Sequence, residues 1–283
     1  MIDPAFIPAF PPAKLRFRRR LALVTSLPEL WRAREVVVSL TERDLRARYK
    51  QAVFGLAWSL AQPLSLILVF TLLFRHVARV ETRGAPYPLF AFVGLLPWTF
   101  FAGAVAQGGL SLLTNNALLN KVYCPREVFP LAGVCVAVFD SVVSGLALAV
   151  MFAVTGFLPK ATIVWTPVLL VVQGIFTVAV VLLFSVVVVY FRDLRNALPV
   201  VLQFGLFATP VAYAFDAIPA HWQPLYSVLN PLGPVIDGYR RTLLFGLPPR
   251  WPLLALAAAS AVLLLGLAIV TFKRLETGIA DLV

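Results

Sequence analysis

The sequence predicts an all-α integral membrane protein with six transmembrane helices, an N-terminal amphipathic interfacial helix, and re-entrant helices between spans five and six. Three observations carry that expectation. Of the 283 residues, 60% are hydrophobic and only 13% charged, a balance foreign to soluble domains. The apolar runs suit a bilayer core of ~30 Å, which takes about 20 helical residues, and they far exceed the roughly 10-residue alternating strands of an outer-membrane barrel. Finally, basic residues gather at one end, with eleven of the 24 Lys and Arg preceding Gln51.

Residues 1–28 form a Pro-rich, basic tail on the cytoplasmic side. Met1 to Pro12 holds four prolines and is unsuited to regular structure. The apolar run Leu21–Val24 is too short for a signal-peptide core, so the first span is expected to serve as the targeting signal. The cluster Lys14, Arg16, Arg18, Arg19 and Arg20 either binds anionic lipid, at about 1 kcal/mol per basic residue, or only fixes topology. The net charge of +11 therefore points to membrane lipid rather than to nucleic acid.

Residues 29–51 read as the interfacial helix. At 100° per residue Leu45 and Tyr49, with Val53, Leu56 and Leu60 beyond them, fall within an arc of roughly 80°. Arg43, Asp44, Arg46, Arg48, Lys50 and Gln51 fall outside it. Thr41 and Asp44 stand at capping-box spacing, which allows a break near Ser39.

Residues 52–283 form the six-span domain. Span one runs from about Ala52 to Phe74 and span two from Pro88 to Leu113. In the latter, Pro97, Gly103, Gly108 and Gly109 predict a kink and close helix contacts. Spans three (Phe129–Phe157) and four (Ile163–Phe191) are joined by the short Leu158–Thr162 turn and are expected to pair antiparallel. Span five, Leu198–Phe215, contains Pro210 and rises only about 27 Å even if fully helical, so it crosses barely or incompletely. Segment 216–251 is interrupted by Pro224, Pro231 and Pro234 and carries Asp237, Arg240 and Arg241, which suggests short helices dipping into the bilayer edge. Span six, Pro252–Phe272, ends at Lys273-Arg274. An even span count puts both termini on one side, and the basic arm makes that side cytoplasmic. Without the arm the two sides nearly balance.

No phosphate-binding loop, metalloprotease motif or nucleophile elbow is present, so the chain is expected to be no enzyme and to hold no cofactor or metal. Cys124 and Cys135 lack disulfide or zinc spacing. Asp140 is the one acid inside the apolar spans. At that depth it is either functional, as in a proton-coupled carrier, or bonded to a hydroxyl such as Ser141 or Ser144. The loop 114–128 contains a short amphipathic helix stopped by Pro125. It reads either as a platform for a soluble partner or as an ordinary polar connector.

Several stretches in order resemble the permease subunits of ABC-2 type polysaccharide exporters, the O-antigen, capsule and teichoic-acid export family. They are the helix Arg43-Asp44-Leu45 through Ala47-Arg48-Tyr49-Lys50-Gln51 with Gly55 and Trp58, then Leu95-Leu96-Pro97-Trp98 with Phe100-Phe101, Asn115 through Pro130, and Arg192-Asp193. Asn230-Pro231 with Pro234 and Arg240 adds a weaker match. The resemblance implies a homodimeric channel in the bacterial cytoplasmic (inner) membrane. It also implies two copies of a separate ATPase, which would bind ATP and Mg, and a lipid-linked polysaccharide as cargo. By the same resemblance Arg43, Arg46, Tyr49 and Lys50 lie on a cytoplasmic gate helix. The basic face of that helix is in turn expected to admit the headgroup of a lipid-linked substrate, with Arg43, Arg46 and Lys50 meeting the pyrophosphate. Leu119, Lys121, Val122, Tyr123, Pro125 and Arg126 lie on the coupling helix against the ATPase. Sugar rings stack on aromatic faces, so Phe54, Trp58 and Tyr213, together with Asp140, are the candidates for a channel lining. The Pro-rich N-terminal extension departs from the family pattern. The alternatives are an ABC-2 exporter of another cargo, such as a drug or small lipid, and a proton-coupled carrier using Asp140.

Overall fold

Gly108 and Gly133 face each other where two long apolar helices cross, so closely that a Cβ on Gly133 would fall 2.4 Å from the Gly108 Cα. Helix association in lipid gains little from the hydrophobic effect and depends on such close packing. This contact therefore sets the spacing of the helices in question.

The computed structural model describes residues 30–50, 64–69, 71–72, 84–119 and 124–282, without the side chains of 117, 119 and 277–282. The tail, most of span one with Phe54 and Trp58, the loop residues Lys121, Val122 and Tyr123, and the Leu119 side chain lie outside the described residues. Helix α1 covers Arg34–Tyr49; 64–69 and 71–72 are helical pieces of the expected first span. Next come α2 (Tyr87–Gly108), the short α3 (Ser111–Thr114) and α4 (Asn116–Leu119), then α5 (Val128–Thr155). After a 3-10 turn at Ala161–Trp165 follow α6 (Thr166–Tyr190) and α7 (Leu194–Ala208). The chain closes with α8 (Gln223–Leu229), α9 (Leu232–Arg240), a π-helical turn at Arg241–Phe245, and α10 (Trp251–Leu282).

The punctuation is local. Pro88, Pro167 and Pro224 occupy first-turn positions of α2, α6 and α8, where the missing N–H costs nothing. α5 ends at Gly156 with φ +64°, a left-handed cap that needs no Cβ. Four described helices are long and apolar enough to cross a membrane: Tyr87–Thr114, Val128–Thr155, Ala161–Tyr190 and Trp251–Glu276. α7 is a shorter apolar helix.

Several expectations shift. α1 is continuous through Ser39, and Thr41 Oγ1 donates to the Val37 carbonyl at 2.7 Å; the hydroxyl is spent inside the helix, so no capping box forms. Pro97 sits inside the continuous helix α2, where the sequence predicts a kink and not a break. The carbonyl of Pro97 accepts from Gln173 Nε2 at 2.9 Å, and Gln173 Oε1 accepts from the Tyr239 hydroxyl at 3.0 Å. That buried chain ties α2, α6 and α9 together. Span five lies earlier than expected. Its helix ends at Ala208, Thr209 is extended, and Pro210 follows outside it, because a residue before proline disfavours helical backbone.

α5 and α6 share a short connection, yet each packs mainly elsewhere, α5 against α2 and α6 against α10. A tight turn fixes only the joined ends, whereas small residues decide the long contacts. Gly108 and Gly133 do so for the first pair, and Ala179 and Ala268 meet in one buried cluster for the second.

Beyond α7 the backbone is irregular and organised by Arg240, which is 2% exposed. Its guanidinium donates to the carbonyls of Phe90, Pro210, Val211 and Tyr213 and stacks 3.7 Å above the Phe90 ring centroid. Buried carbonyls outside regular helices need donors of this kind from the protein. Arg250 ties the same region through ion pairs to Asp216 and Asp237.

Candidate functional site

One face of each of three helices opens onto a common groove. Along α2, Thr99, Gly103, Ala106 and Gln107 recur at helical spacing; along α5, Ala137, Asp140, Ser141 and Ser144 do the same; along α7, Pro199, Leu202, Gln203 and Leu206 follow. Small residues on the first two leave a volume of about 1010 Å³, completed by Arg48 and Tyr49 from α1 and by Leu66. Gly103 needs its small size only for space, since a Cβ there would meet nothing closer than Ala137 Cβ at 3.9 Å. Trp98, Phe100 and Phe207 supply aromatic surface.

At one end the groove is polar. Arg48 Nη1 lies 2.6 Å from Asp140 Oδ2, and Arg48 Nη2 donates to Gln107 Oε1 at 2.8 Å. The Tyr49 hydroxyl donates to Asp140 Oδ1, and its ring packs against Phe139 at 6.2 Å. Asp140 is thus paired, but across to α1 rather than to Ser141 or Ser144. Ser141 Oγ instead donates to the Ala137 carbonyl on its own helix. The arginine is 44% and the carboxylate 27% exposed, so the pair is worth about 1 kcal/mol or less. Burial pushes the Tyr49 phenol above its ordinary value, and the hydrogen bond to Asp140 and the carboxylate charge push it further. Tyr49 is therefore a donor at all physiological pH.

No residue of α1 is buried. Besides the contacts at its end, it is held by Arg43 Nη2 donating to Asn115 Oδ1 at 2.7 Å and by Leu40, which is packed partly against an apolar cluster around Leu112 and Phe129. The other basic candidates do not line the groove. Arg43 also pairs with Asp44 at 2.7 Å, Arg46 pairs with Glu42, and Lys50 is exposed. Tyr213 lies in the irregular segment after α7 and does not line the groove; its hydroxyl donates to the Ala208 carbonyl at 3.1 Å. At the loop, Pro125 precedes α5, and Arg126 Nη1 donates to the Glu276 carbonyl on α10.

Arg48 and Gln107 were not singled out by the sequence. The signal was there in outline, because a lone acid in apolar spans needs a cationic partner and α1 is rich in arginine. What the sequence withheld was which arginine turns inward.

A model of the family described as ABC-2 type transporter matches residues 35–244, from α1 to the π-helical turn. The chain belongs to the ABC-2 type transporter family. Among members of this family, the O-antigen export system permease protein RfbA of Myxococcus xanthus is 34% identical over 244 residues, covering 86% of this chain and 93% of that protein. An RfbA permease of Klebsiella pneumoniae is 30% identical over 213 residues, 75% of this chain and 81% of its own. The polysialic acid transport protein KpsM of Escherichia coli is 22% identical over 222 residues, covering 74% and 81%. The family match takes in every helix that lines the groove and stops short of α10.

Proposed function

We propose that this ABC-2 chain is the membrane-spanning subunit of an ATP-driven exporter of lipid-linked polysaccharide of the O-antigen, capsule or teichoic-acid type. It acts in the bacterial cytoplasmic (inner) membrane, with both termini cytoplasmic, as a homodimer bound to two copies of a soluble ATPase. ATP and Mg are held by that partner, and this chain supplies the pathway.

The observation that carries the reading is the groove, with a charged mouth at the end of α1 and aromatic surface beyond it. Its chemistry suits an amphipathic cargo. Cationic groups on α1 attract a pyrophosphate, aromatic faces accept sugar rings, and a surface helix with no buried residue, held by a few polar contacts, can move aside. Likeness to O-antigen permeases over most of both chains supports the cargo class. Arg48 joins Arg43, Arg46, Tyr49 and Lys50 as a candidate gate residue, and loop residues 119–126 are the ATPase contact.

An ABC-2 exporter of a drug or small lipid is the competing reading within the family. The test is complementation: a strain lacking its own O-antigen permease, supplied with this chain and its cognate ATPase, is scored for surface polysaccharide. Restored surface polymer supports the reading. Cytoplasmic accumulation of polymer, despite assembly with the ATPase, overturns the cargo class.

A further inference from the structure

The groove does not use the cluster of charges at the other end of α5. Glu127, at the N-terminal boundary of α5, is one of two buried acids among the described residues; Asp237 is the other. Its Oε1 pairs with Lys273 Nζ on α10, with side-chain exposures of 8% and 18%. The same ammonium reaches Glu276 Oε2 at 3.2 Å. Two further donors converge on that stretch of α10: Arg126 on the Glu276 carbonyl, and the Tyr190 hydroxyl on the Leu275 carbonyl at 2.7 Å. The loop 124–127, the end of α6 and the last turns of α10 are thereby fastened together above an apolar cluster that includes Phe129, Val186, Val189 and Phe272.

Stability alone is a poor reason for this arrangement. An apolar pair of similar volume usually holds two helices as well as a buried ion pair does, or better. What an ion pair adds is a fixed direction, here for the loop relative to α10. From Glu127 the helix α5 runs uninterrupted to Thr155, and Asp140 stands about 20 Å along it. A displacement of the loop is thus a displacement of the carboxylate that fastens α1.

We propose that Lys273 is a positioning residue for energy coupling: through Glu127 it braces the 124–127 turn and the base of α5 against α10, so that movement delivered to the loop reaches the Arg48–Asp140 fastening. The proposal rests on the reading of this loop as the ATPase contact.

The test uses the full permease–ATPase complex in nanodiscs, with Lys273→Met, Glu127→Gln and the charge-retaining Lys273→Arg. Three quantities are read: ATPase bound per permease, ATP hydrolysed, and substrate moved per ATP. The Met and Gln variants are expected to keep the ATPase bound and hydrolysing while substrate moved per ATP falls by about fivefold or more, and Lys273→Arg stays within about twofold of the parent. A parent-like ratio in both neutral variants overturns the brace, as does an equal loss in Lys273→Arg. Val122→Pro is run alongside: if it leaves ATPase binding and transport unchanged, the reading of the loop itself falls, whatever Lys273 does.

Discussion

Arg48, on a helix with no buried residue, and Asp140, in the middle of a long apolar helix, close an ion pair of 2.6 Å at the mouth of the groove. With Gln107 and Tyr49 completing the contact, α1 is fastened by polar groups at its C-terminal end. Cutting that fastening should release the end without unfolding the bundle. In Asp140→Asn or Arg48→Gln, hydrogen exchange over 44–50 should speed up by up to about fivefold, as loss of roughly 1 kcal/mol predicts. The double variant should add little, because the two residues act as one unit.

The phenol of Tyr49 adds a pH signature. Its raised pKa means that the folded state holds the proton more tightly than the unfolded chain. The stabilisation is complete below the ordinary value of 10.0 and is lost as pH rises through the higher folded value. Exchange at the end of α1 should therefore show no Tyr49-dependent change between neutral pH and about pH 9. In Tyr49→Phe the alkaline loosening should be absent.

Gly103 offers a way to narrow the groove without bending a helix. Gly103→Leu projects into open space beside Ala137, so thermal stability should be kept or slightly raised, because helical glycine is unfavourable by about 1 kcal/mol. Under the proposed function, export of a long polymer should fall severely while ATP hydrolysis by the proposed partner continues. An export assay paired with a melting curve separates the two effects.

Gly133→Ala is the opposite case. Its Cβ would fall 2.4 Å from the Gly108 Cα, against backbone that cannot yield, so α2 and α5 must part. A loss of about 1–3 kcal/mol is expected, read as a lower melting temperature in detergent.

Arg240→Met removes the side-chain donors to the carbonyls of Phe90, Pro210, Val211 and Tyr213. A loss of roughly 3–5 kcal/mol is expected, the scale seen when one member of a buried charged network is deleted. Limited proteolysis should then cut first within 209–222.

Hydropathy was enough to find the long helices, because a span is defined by length and apolarity alone. It failed where proline acts on its neighbour: Thr209 ends α7 before Pro210 is reached. Pairing of helices was not legible either. Connection length suggested α5 with α6, whereas glycine at 108 and 133 committed α5 to α2. At the site, Asp140 stood out as the one acid within the apolar spans and Tyr49 as part of a recognisable helix. Arg48 did not stand out, since helical phase placed it on the polar side. A long arginine stem reaches around a helix in ways that a wheel of Cβ directions does not show.

The shortness of α7 bears on the barrier that a polar cargo would meet along the pathway proposed above. Its residues Leu194–Ala208 span only about 22 Å, less than the ~30 Å of hydrocarbon in a bilayer. Beyond α7 the chain turns at 209–213, where Arg240 satisfies the carbonyls of Pro210, Val211 and Tyr213 and the Tyr87 hydroxyl that of Ala212. In the proposed pathway, the distance on that flank through which a cargo's hydroxyl groups would go unsolvated is set by the protein and not by the lipid, and is shorter than a surrounding bilayer.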